Sequence, residues 1–249
     1  MPDRKPMRDW LTARPVAHRG LHDAAAGIIE NTPTAFRAAI ADNYGIECDL
    51  QITADNEAMV YHDDALGRLT DGAGRLADLP AAELKRVPFK TTTDRLLTLG
   101  ELCDLVAGKV TLLLELKSRF DGDLRLAERA ADVLAGYRGA VALMSFDPEP
   151  IMRLKQVAPA LTRGLVAQRR DDKNKTEKES VHGLHYTRHA LSAGLQFLAY
   201  RIKDLPSALP YLARNVLHLP LLTWTVRTAE DRMRAARWAD QIIFEGFLP

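Results

Sequence analysis

Two short blocks near the start of the chain carry the side chains best suited to chemistry. The first, His18-Arg19-Gly20, offers an imidazole and a guanidinium, and the second, Glu47-Cys48-Asp49, offers two carboxylates separated by one residue. Alternate side chains of a β-strand face opposite sides, so both carboxylates lie on one face. About 4 Å apart they would repel by about 4 kcal/mol at an effective dielectric of about 20, a conflict that a hard divalent cation removes. An acid/base group beside such a cation is the chemistry of a metal-dependent phosphodiester hydrolase.

The composition excludes several classes of protein. Lysine and arginine total 34 and aspartate and glutamate 33, and this net charge of +1 gives no basic footprint for nucleic acid or an anionic membrane. The two cysteines, Cys48 and Cys103, form no disulfide framework and lack the spacing of a zinc site. Residues 1–10 lack the apolar core of a signal peptide, and no run reaches about 18 apolar residues. We therefore expect a cytoplasmic protein with no stable membrane insertion and no nucleic-acid partner.

The pattern of apolar residues predicts the elements that position these blocks. Short runs rich in leucine and β-branched residues alternate with stretches of helical period, as in parallel strands joined by crossover helices. Eight strands are predicted, at residues 15–18, 46–51, 110–116, 140–145, 162–167, 195–200, 220–226 and 241–244. Although 249 residues would also suffice for two small domains, eight units at this length favour one α/β domain over residues 1–249, a (β/α)8 TIM barrel.

Four helix starts support this count. An N-cap residue stands before proline at Thr32-Pro33 and at Asp147-Pro148, and Thr98 with Glu101 has the spacing of a capping box. A weaker start is Thr228, which precedes two acidic residues in the first turn.

The interval between the second and third predicted barrel strands is too long for a simple connection. Residues 52–97 contain a possible strand at 58–61, a turn-rich stretch at 71–74 and a short helix after Pro80. We interpret these residues as a small insertion after the second strand. In a (β/α)8 barrel, such additions lie at the carboxyl ends of the strands, so this one would carry His62-Asp63-Asp64 over the barrel mouth.

Seven blocks then stand in the order and spacing of a known family. They are His18-Arg19-Gly20, Glu30-Asn31-Thr32, Glu47-x-Asp49, Thr53-x-Asp55, His62-Asp63, Glu115-x-Lys117 and Trp224-Thr225-Val226. From about residue 15 to the end, the chain resembles the glycerophosphodiester phosphodiesterase family. The resemblance implies a TIM barrel with an insertion after its second strand. It also implies hydrolysis of a glycerophosphodiester to sn-glycerol 3-phosphate and an alcohol, with a bound divalent cation.

The resemblance also assigns roles to individual residues. His18 and His62 match the two catalytic histidines, and imidazole can both accept and donate a proton near neutral pH. Glu47, Asp49 and Glu115 match the metal ligands, and an all-oxygen set favours Mg²⁺ or Ca²⁺ over zinc. Two alternatives stay open: the histidines could serve only as hydrogen-bonding groups, and the carboxylates could form a salt-bridge network with neighbouring cations.

Four further residues are candidates for binding the substrate. Arg19 could clamp the phosphate through its planar fork, and Lys117 could add a point charge, although both could instead neutralise the carboxylates. Glu30 could bind the metal or a substrate hydroxyl, or could be a solvated loop charge. Trp224 could be an apolar wall for the glycerol or the leaving group, or an aromatic residue of the barrel core.

Two features lie outside these assignments. The last predicted strand ends in Phe244-Glu245-Gly246, where the family often has a Thr-Asp pair followed by proline, so Glu245 could replace that aspartate with a longer reach. Three histidines at helical spacing, His182, His185 and His189, could bind zinc, but a solvated helix or loop explains them without a metal. The charged stretch 168–180 before them could act as a lid on the catalytic face.

The most direct hypothesis is therefore an enzyme whose partner is a small-molecule glycerophosphodiester. An enzyme on the same scaffold acting on a lysophospholipid or a sugar-linked phosphodiester is the alternative, and a non-catalytic binding module is a third. Attack by a neighbouring glycerol hydroxyl would give a cyclic phosphate, whereas direct attack by water would not. The sequence does not indicate the head group, the metal or the oligomeric state.

Overall fold

Eight parallel strands close into a barrel in the computed structural model, which describes residues 9–169 and 192–249. The strands are β1 (Val16–Ala17), β2 (Gly45–Ile52), β3 (Ala58–Val60), β4 (Leu112–Leu116), β5 (Val141–Ser145), β6 (Thr162–Ala167), β7 (Phe197–Arg201), β8 (Leu221–Val226) and β9 (Gln241–Phe244). The first strand pairs in parallel with both β2 and β9, which closes the ring, while β3 is antiparallel to β2. Within these residues the predicted (β/α)8 TIM barrel is confirmed.

Helices connect the strands on the outside. They are α1 (Asp9–Thr12), α2 (Pro33–Ala41), α3 (Ala81–Leu84), α4 (Leu99–Val106), α5 (Arg125–Leu134), α6 (Pro148–Val157), α7 (Ala208–Asn215) and α8 (Ala229–Trp238). All four predicted N-caps are confirmed, because the side chains of Thr32, Thr98, Asp147 and Thr228 each accept a hydrogen bond from a first-turn amide. Among the described residues, no helix combines the length and apolar character needed to cross a bilayer.

Alternation along the strands separates two apolar layers. On β2, the outward residues Ile46, Cys48 and Leu50 are fully buried beneath the helices, and the residues between them face the barrel interior. The interior is filled by a smaller apolar set, which includes Leu113, Met144, Val166, Phe197 and Ile243. The carboxylates of β2 therefore lie above a packed floor rather than in a pore.

The predicted insertion is confirmed between β2 and α4. It contains β3 and α3 and has its own apolar cluster, which joins Met59 and Tyr61 to Leu76, Leu84 and Phe89. The predicted zinc-binding histidines 182, 185 and 189 lie outside the described residues, as does nearly all of the charged stretch 168–180.

Gly20 shapes the loop that follows β1. Its φ is 80°, and a Cβ on it would lie 3.0 Å from the backbone carbon of Ala35 at the start of α2. We expect Gly20→Ala to lower the free energy of unfolding by about 2–4 kcal/mol, because left-handed strain adds to a clash with backbone. Urea denaturation measures this loss.

Gly27→Ala is the matched control. Gly27 has a φ of 75°, but a Cβ there would meet nothing within 4 Å. Gly27→Ala should therefore lower the free energy of unfolding only by the cost of the left-handed backbone conformation, about 1 kcal/mol. If both variants lost the same free energy of unfolding, the predicted clash between a Cβ at Gly20 and the backbone of Ala35 would be wrong.

Candidate active site

Three carboxylates meet inside the barrel mouth. Asp49 on β2 and Glu115 on β4 are partners across neighbouring parallel strands, and Glu47 lies two residues before Asp49 on the same face. Ligand oxygens of the three side chains lie within 4.8 Å of one another. Glu47 and Asp49 are each 1% exposed and Glu115 is 8% exposed. The three predicted metal ligands are therefore brought together at one buried point.

Burial and mutual repulsion determine how this acidic triad titrates. Burial, reinforced by the charges of the other two acids, raises the pKa of Glu47 well above its usual value. Burial also raises the pKa of Glu115, although Lys117 opposes the shift. For Asp49, burial is outweighed by the positive charges of Lys117 and Arg19, so its pKa is lowered. Burial therefore disfavours the anionic forms of Glu47 and Glu115, and a further positive charge would favour them.

Two cations compensate the triad in part. Lys117 Nζ donates to Glu115 Oε1 at 2.6 Å and lies 2.8 Å from Asp49 Oδ1. Arg19 Nε lies 3.2 Å from Asp49 Oδ2, while the backbone N–H of Arg19 donates to Glu47 Oε2 at 3.0 Å. Asn31 Nδ2 also donates to Asp49 Oδ2, at 2.9 Å. Asp49 Oδ1 is buried, and its close contact is the Lys117 ammonium. The ion pairs between the carboxylates and the neighbouring cations are therefore present.

His18, immediately after β1, has a fixed orientation. Its Nδ1 lies 2.8 Å from Glu245 Oε2, and its Nε2 lies 4.0 Å from Glu47 Oε2. Burial opposes ionisation of Glu245, but its hydrogen bonds with His18 and Arg227 outweigh it and lower its pKa to about 2. Burial lowers the pKa of His18, even though Glu245 acts in the opposite direction. Because an ionised carboxylate only accepts hydrogen bonds, Nδ1 carries the proton and Nε2 keeps its lone pair.

His62 approaches from the insertion. Its Nδ1 lies 2.7 Å from Asp63 Oδ1, and its carbonyl accepts a hydrogen bond from Gln51 Nε2 at 2.9 Å. The His62 side chain is 33% exposed, against 13% for His18. The second imidazole is thus oriented by a carboxylate of its own and is open to solvent on one side.

One cavity of 410 Å³ joins these groups. Its lining contains seven of the nine residues predicted from the sequence, namely His18, Arg19, Glu47, His62, Glu115, Lys117 and Trp224. The two predicted residues outside the lining are Asp49, whose carboxylate contacts Lys117, and Glu30, whose carboxylate contacts Arg19 and Arg68. Trp224 lines the cavity and also packs edge-to-face on Phe146, with the ring centroids 5.5 Å apart.

Several residues around this cavity lack a clear signal in the sequence. Arg201, Phe146 and Arg227 line the cavity, and Arg68 contacts Glu30 and Asp63. Glu245 is marked only by its departure from the family pattern, and its contact with His18 spans 227 positions. Asn31 lies within the Glu30-Asn31-Thr32 block, so that block was a usable signal for its contact with Asp49.

Replacing Glu245 tests how His18 is oriented. In Glu245→Gln we expect kcat/KM for the hydrolysis predicted from the sequence to fall about 10- to 100-fold. The reason is that a neutral amide no longer selects the Nδ1–H tautomer of His18. Since Glu245 acts to raise the pKa of His18, the acidic limb of the kcat/KM profile should move to lower pH. The control is Glu230→Gln, which alters an exposed glutamate paired with Arg234. An unchanged acidic limb in Glu245→Gln would contradict the assignment.

Comparison with known proteins agrees with this geometry. The sequence profile of the glycerophosphoryl diester phosphodiesterase family matches residues 18–247. A glycerophosphodiester phosphodiesterase from Caldanaerobacter subterraneus subsp. tengcongensis is 32% identical over 165 residues, which cover 61% of this chain and 66% of that relative. Glycerophosphodiester phosphodiesterase 1 from Rattus norvegicus is 30% identical over 161 residues, covering 60% and 46%. The chain thus aligns with no more than two thirds of the length of these curated relatives.

Solved structures share the fold over nearly the whole chain. An Oleispira antarctica phosphodiesterase, in complex with the product sn-glycerol-3-phosphate, superposes with a TM-score of 0.77 at 18% identity, covering 94% of both chains. A glycerophosphodiester phosphodiesterase from Thermotoga maritima has a TM-score of 0.69 at 22% identity, covering 93% of this chain and 94% of that one. With the profile match spanning residues 18–247, the chain belongs to the glycerophosphoryl diester phosphodiesterase family.

Proposed function

We propose that this protein hydrolyses glycerophosphodiesters to sn-glycerol 3-phosphate and an alcohol, with one divalent cation as cofactor. The observation that carries the proposal is that one cavity is lined by two imidazoles and by two members of the buried acidic triad, Glu47 and Glu115. The wall of the same cavity also carries Arg19 and Lys117. Membership of the family supports the same reaction. So does the sn-glycerol-3-phosphate bound to the structurally similar Oleispira antarctica enzyme.

The residues of the triad fit a hard divalent cation. Glu47, Asp49 and Glu115 supply oxygen ligands only, and those oxygens lie within 4.8 Å of one another. Burial and repulsion raise the pKa of Glu47 and Glu115, so the ionised forms of both acids are unfavourable. A bound cation would stabilise those ionised forms. The ligand set favours Mg²⁺ or Ca²⁺. When bound, the ion would act as a Lewis acid on a phosphoryl oxygen and favour deprotonation of a coordinated hydroxyl.

His18 is the proposed general base. Its Nε2 carries the lone pair and faces Glu47, while Nδ1 is anchored by Glu245. The lowered pKa of His18 keeps the ring neutral, and therefore able to accept a proton, at neutral pH. We propose attack by the neighbouring glycerol hydroxyl, which would give a cyclic phosphate that ³¹P NMR detects under single-turnover conditions. Complete absence of that species would favour direct attack by water.

His62 is the proposed general acid for the departing alcohol. A second cavity of 290 Å³ lies beside the first, and the two linings have only His62 and Lys117 in common. We therefore propose that phosphorus binds near this boundary, with glycerol phosphate in the larger cavity and the head group in the smaller one. In that arrangement His62 is adjacent to the leaving oxygen, on the far side from His18.

The cationic side chains would balance the charge that develops on phosphate. Arg19 presents a planar fork and Lys117 a compact ammonium at the cavity wall, both close to the oxygens that gain negative charge. Trp224, packed on Phe146, would provide an apolar surface for the glycerol carbons.

The second cavity also bears on the class of substrate. Eight of its ten lining residues are polar or charged, among them Gln51, Ser118, Arg119 and Asp121, and its volume is 290 Å³. This lining favours a small hydrophilic head group over the acyl chain of a lysophospholipid. A sugar-linked phosphodiester remains the second candidate, because the hydroxyl groups of a sugar also suit a polar lining.

A direct assay tests the proposal. Release of sn-glycerol 3-phosphate is measured from glycerophosphocholine, glycerophosphoethanolamine and glycerophosphoglycerol, each with Mg²⁺, Ca²⁺ or Mn²⁺ and with EDTA. We expect release that depends on the metal and stops in EDTA. Absence of release from every substrate with every metal would refute the proposed function.

A further inference from the structure

Arg68, a residue of the insertion, connects two carboxylates that belong to different parts of the chain. Its Nε donates to Asp63 Oδ2 at 2.5 Å, and its Nη2 donates to Asp63 Oδ1 at 3.3 Å. The same guanidinium donates to Glu30, from Nη2 to Oε1 at 2.6 Å and from Nη1 to Oε2 at 3.3 Å. One planar side chain thus makes a bidentate contact with each of two acids.

Each of these acids in turn contacts a residue of the cavity. Asp63 Oδ1 lies 2.7 Å from His62 Nδ1, and Glu30 Oε1 accepts a hydrogen bond from Arg19 Nη1 at 2.7 Å. Glu30 follows β1, whereas Asp63 belongs to the insertion, so Arg68 joins the insertion to the barrel loop directly. Arg68 is absent from the lining of both cavities around His62.

From this geometry we propose that Arg68 is a positioning residue, which fixes His62 over the cavity through Asp63 and is itself anchored to the barrel loop through Glu30. The inference rests on the proposed function, because it concerns the alignment of the proposed general acid. His62 is attached to the barrel through a peripheral insertion, and its ring is among the more exposed groups of the site. A misalignment of about 1 Å at such a group can lower the rate about 100-fold.

The cost to stability should be far smaller than the cost to turnover. The Arg68 side chain is 46% exposed, and an ion pair at that exposure contributes little to stability. Loss of Arg68 would leave Glu30 and Asp63 without their common partner, while the apolar cluster of the insertion would remain intact. Folding and catalysis are therefore expected to respond differently to the same substitution.

Arg68→Gln tests the inference, with Arg75→Gln as the matched control. Arg75 belongs to the same insertion, is 44% exposed and lies 3.4 Å from an exposed carboxylate, that of Asp64. With glycerophosphocholine, we expect Arg68→Gln to lower kcat about 10- to 100-fold while KM changes less than about threefold. Arg68→Lys should be intermediate, because an ammonium lacks the fork that contacts both acids. Arg75→Gln should match the wild type, and all the variants should unfold within a few degrees of it.

A second substrate separates positioning from a general structural role. The diester of sn-glycerol 3-phosphate with p-nitrophenol has a leaving group that departs without a proton, so a misaligned His62 should matter little. We expect Arg68→Gln to retain most of its activity on this diester. Equal losses on both substrates, or wild-type kcat on glycerophosphocholine, would overturn the inference. If the wild-type protein itself hydrolyses neither diester, it is the proposed function that fails.

Discussion

Removal of the divalent cation is expected to abolish hydrolysis, and Glu47→Gln is expected to weaken metal binding at least about 100-fold. Glu47 is 1% exposed and shares the barrel mouth with Asp49 and Glu115, so an amide in its place removes both a charge and a ligand oxygen. Isothermal titration with Mg²⁺ and Ca²⁺ measures the affinity, and release of sn-glycerol 3-phosphate measures the activity. Wild-type metal affinity in this variant would contradict the ligand assignment.

The same substitution should stabilise the metal-free protein at neutral pH. Since burial and repulsion raise the pKa of Glu47 in the folded state, its ionisation favours unfolding. This cost is absent below the unfolded pKa of about 4.3 and grows as the pH rises from there. In EDTA, Glu47→Gln should therefore unfold like the wild type at low pH and be more stable by about 1 kcal/mol or more at pH 7. Glu57→Gln, which alters a partly exposed glutamate paired with Arg129, is the control and should lose stability slightly if at all.

His62→Ala is expected to lower kcat for glycerophosphocholine by about 10²- to 10⁴-fold, the usual contribution of a general acid. His62 is one of only two residues common to the linings of the two cavities, which is where a leaving alcohol would need a proton. With the p-nitrophenyl diester, which needs no such proton, most of that loss should disappear. His18→Ala, by contrast, should lose activity on both diesters, because its proposed role lies on the attacking side.

The control for these histidine variants is His218→Gln, which changes an exposed imidazole outside both cavities. It should retain wild-type kinetics with either diester. If His62→Ala lost activity equally on both diesters, the proposed assignment of the leaving group to the smaller cavity would be wrong. Metal affinity should be unchanged in both alanine variants, since neither histidine belongs to the acidic triad.

The barrel was predictable because its signals are local. Runs such as Leu112, Leu113 and Leu114 are apolar on both faces, as strands between a packed interior and outer helices must be. Asp147 followed by Pro148 marks the start of a helix within two residues. The alternation of Glu47, Cys48 and Asp49 likewise indicated which two side chains share a face.

The connections between the site residues were not predictable in the same way. Arg68 lies in a turn-rich stretch with no pattern of its own, and its contacts with Glu30 depend on how the insertion docks on the barrel. The position of Glu30 was likewise not encoded locally: its carboxylate turns toward two arginines rather than toward the cavity. Such pairings result from closure of the whole fold, which propensity and periodicity do not describe.

The two-residue strand β1 lies between β2 and β9, so the ring is closed by partners from opposite ends of the chain. His18 is therefore synthesised early but acquires its carboxylate partner only after Gln241–Phe244 has left the ribosome and docked. Until that last event, a growing polypeptide should lack the carboxylate that orients His18. During refolding in vitro, recovery of activity would then report when β1 pairs with β9. We expect this recovery to come after the spectroscopic signal of helix formation.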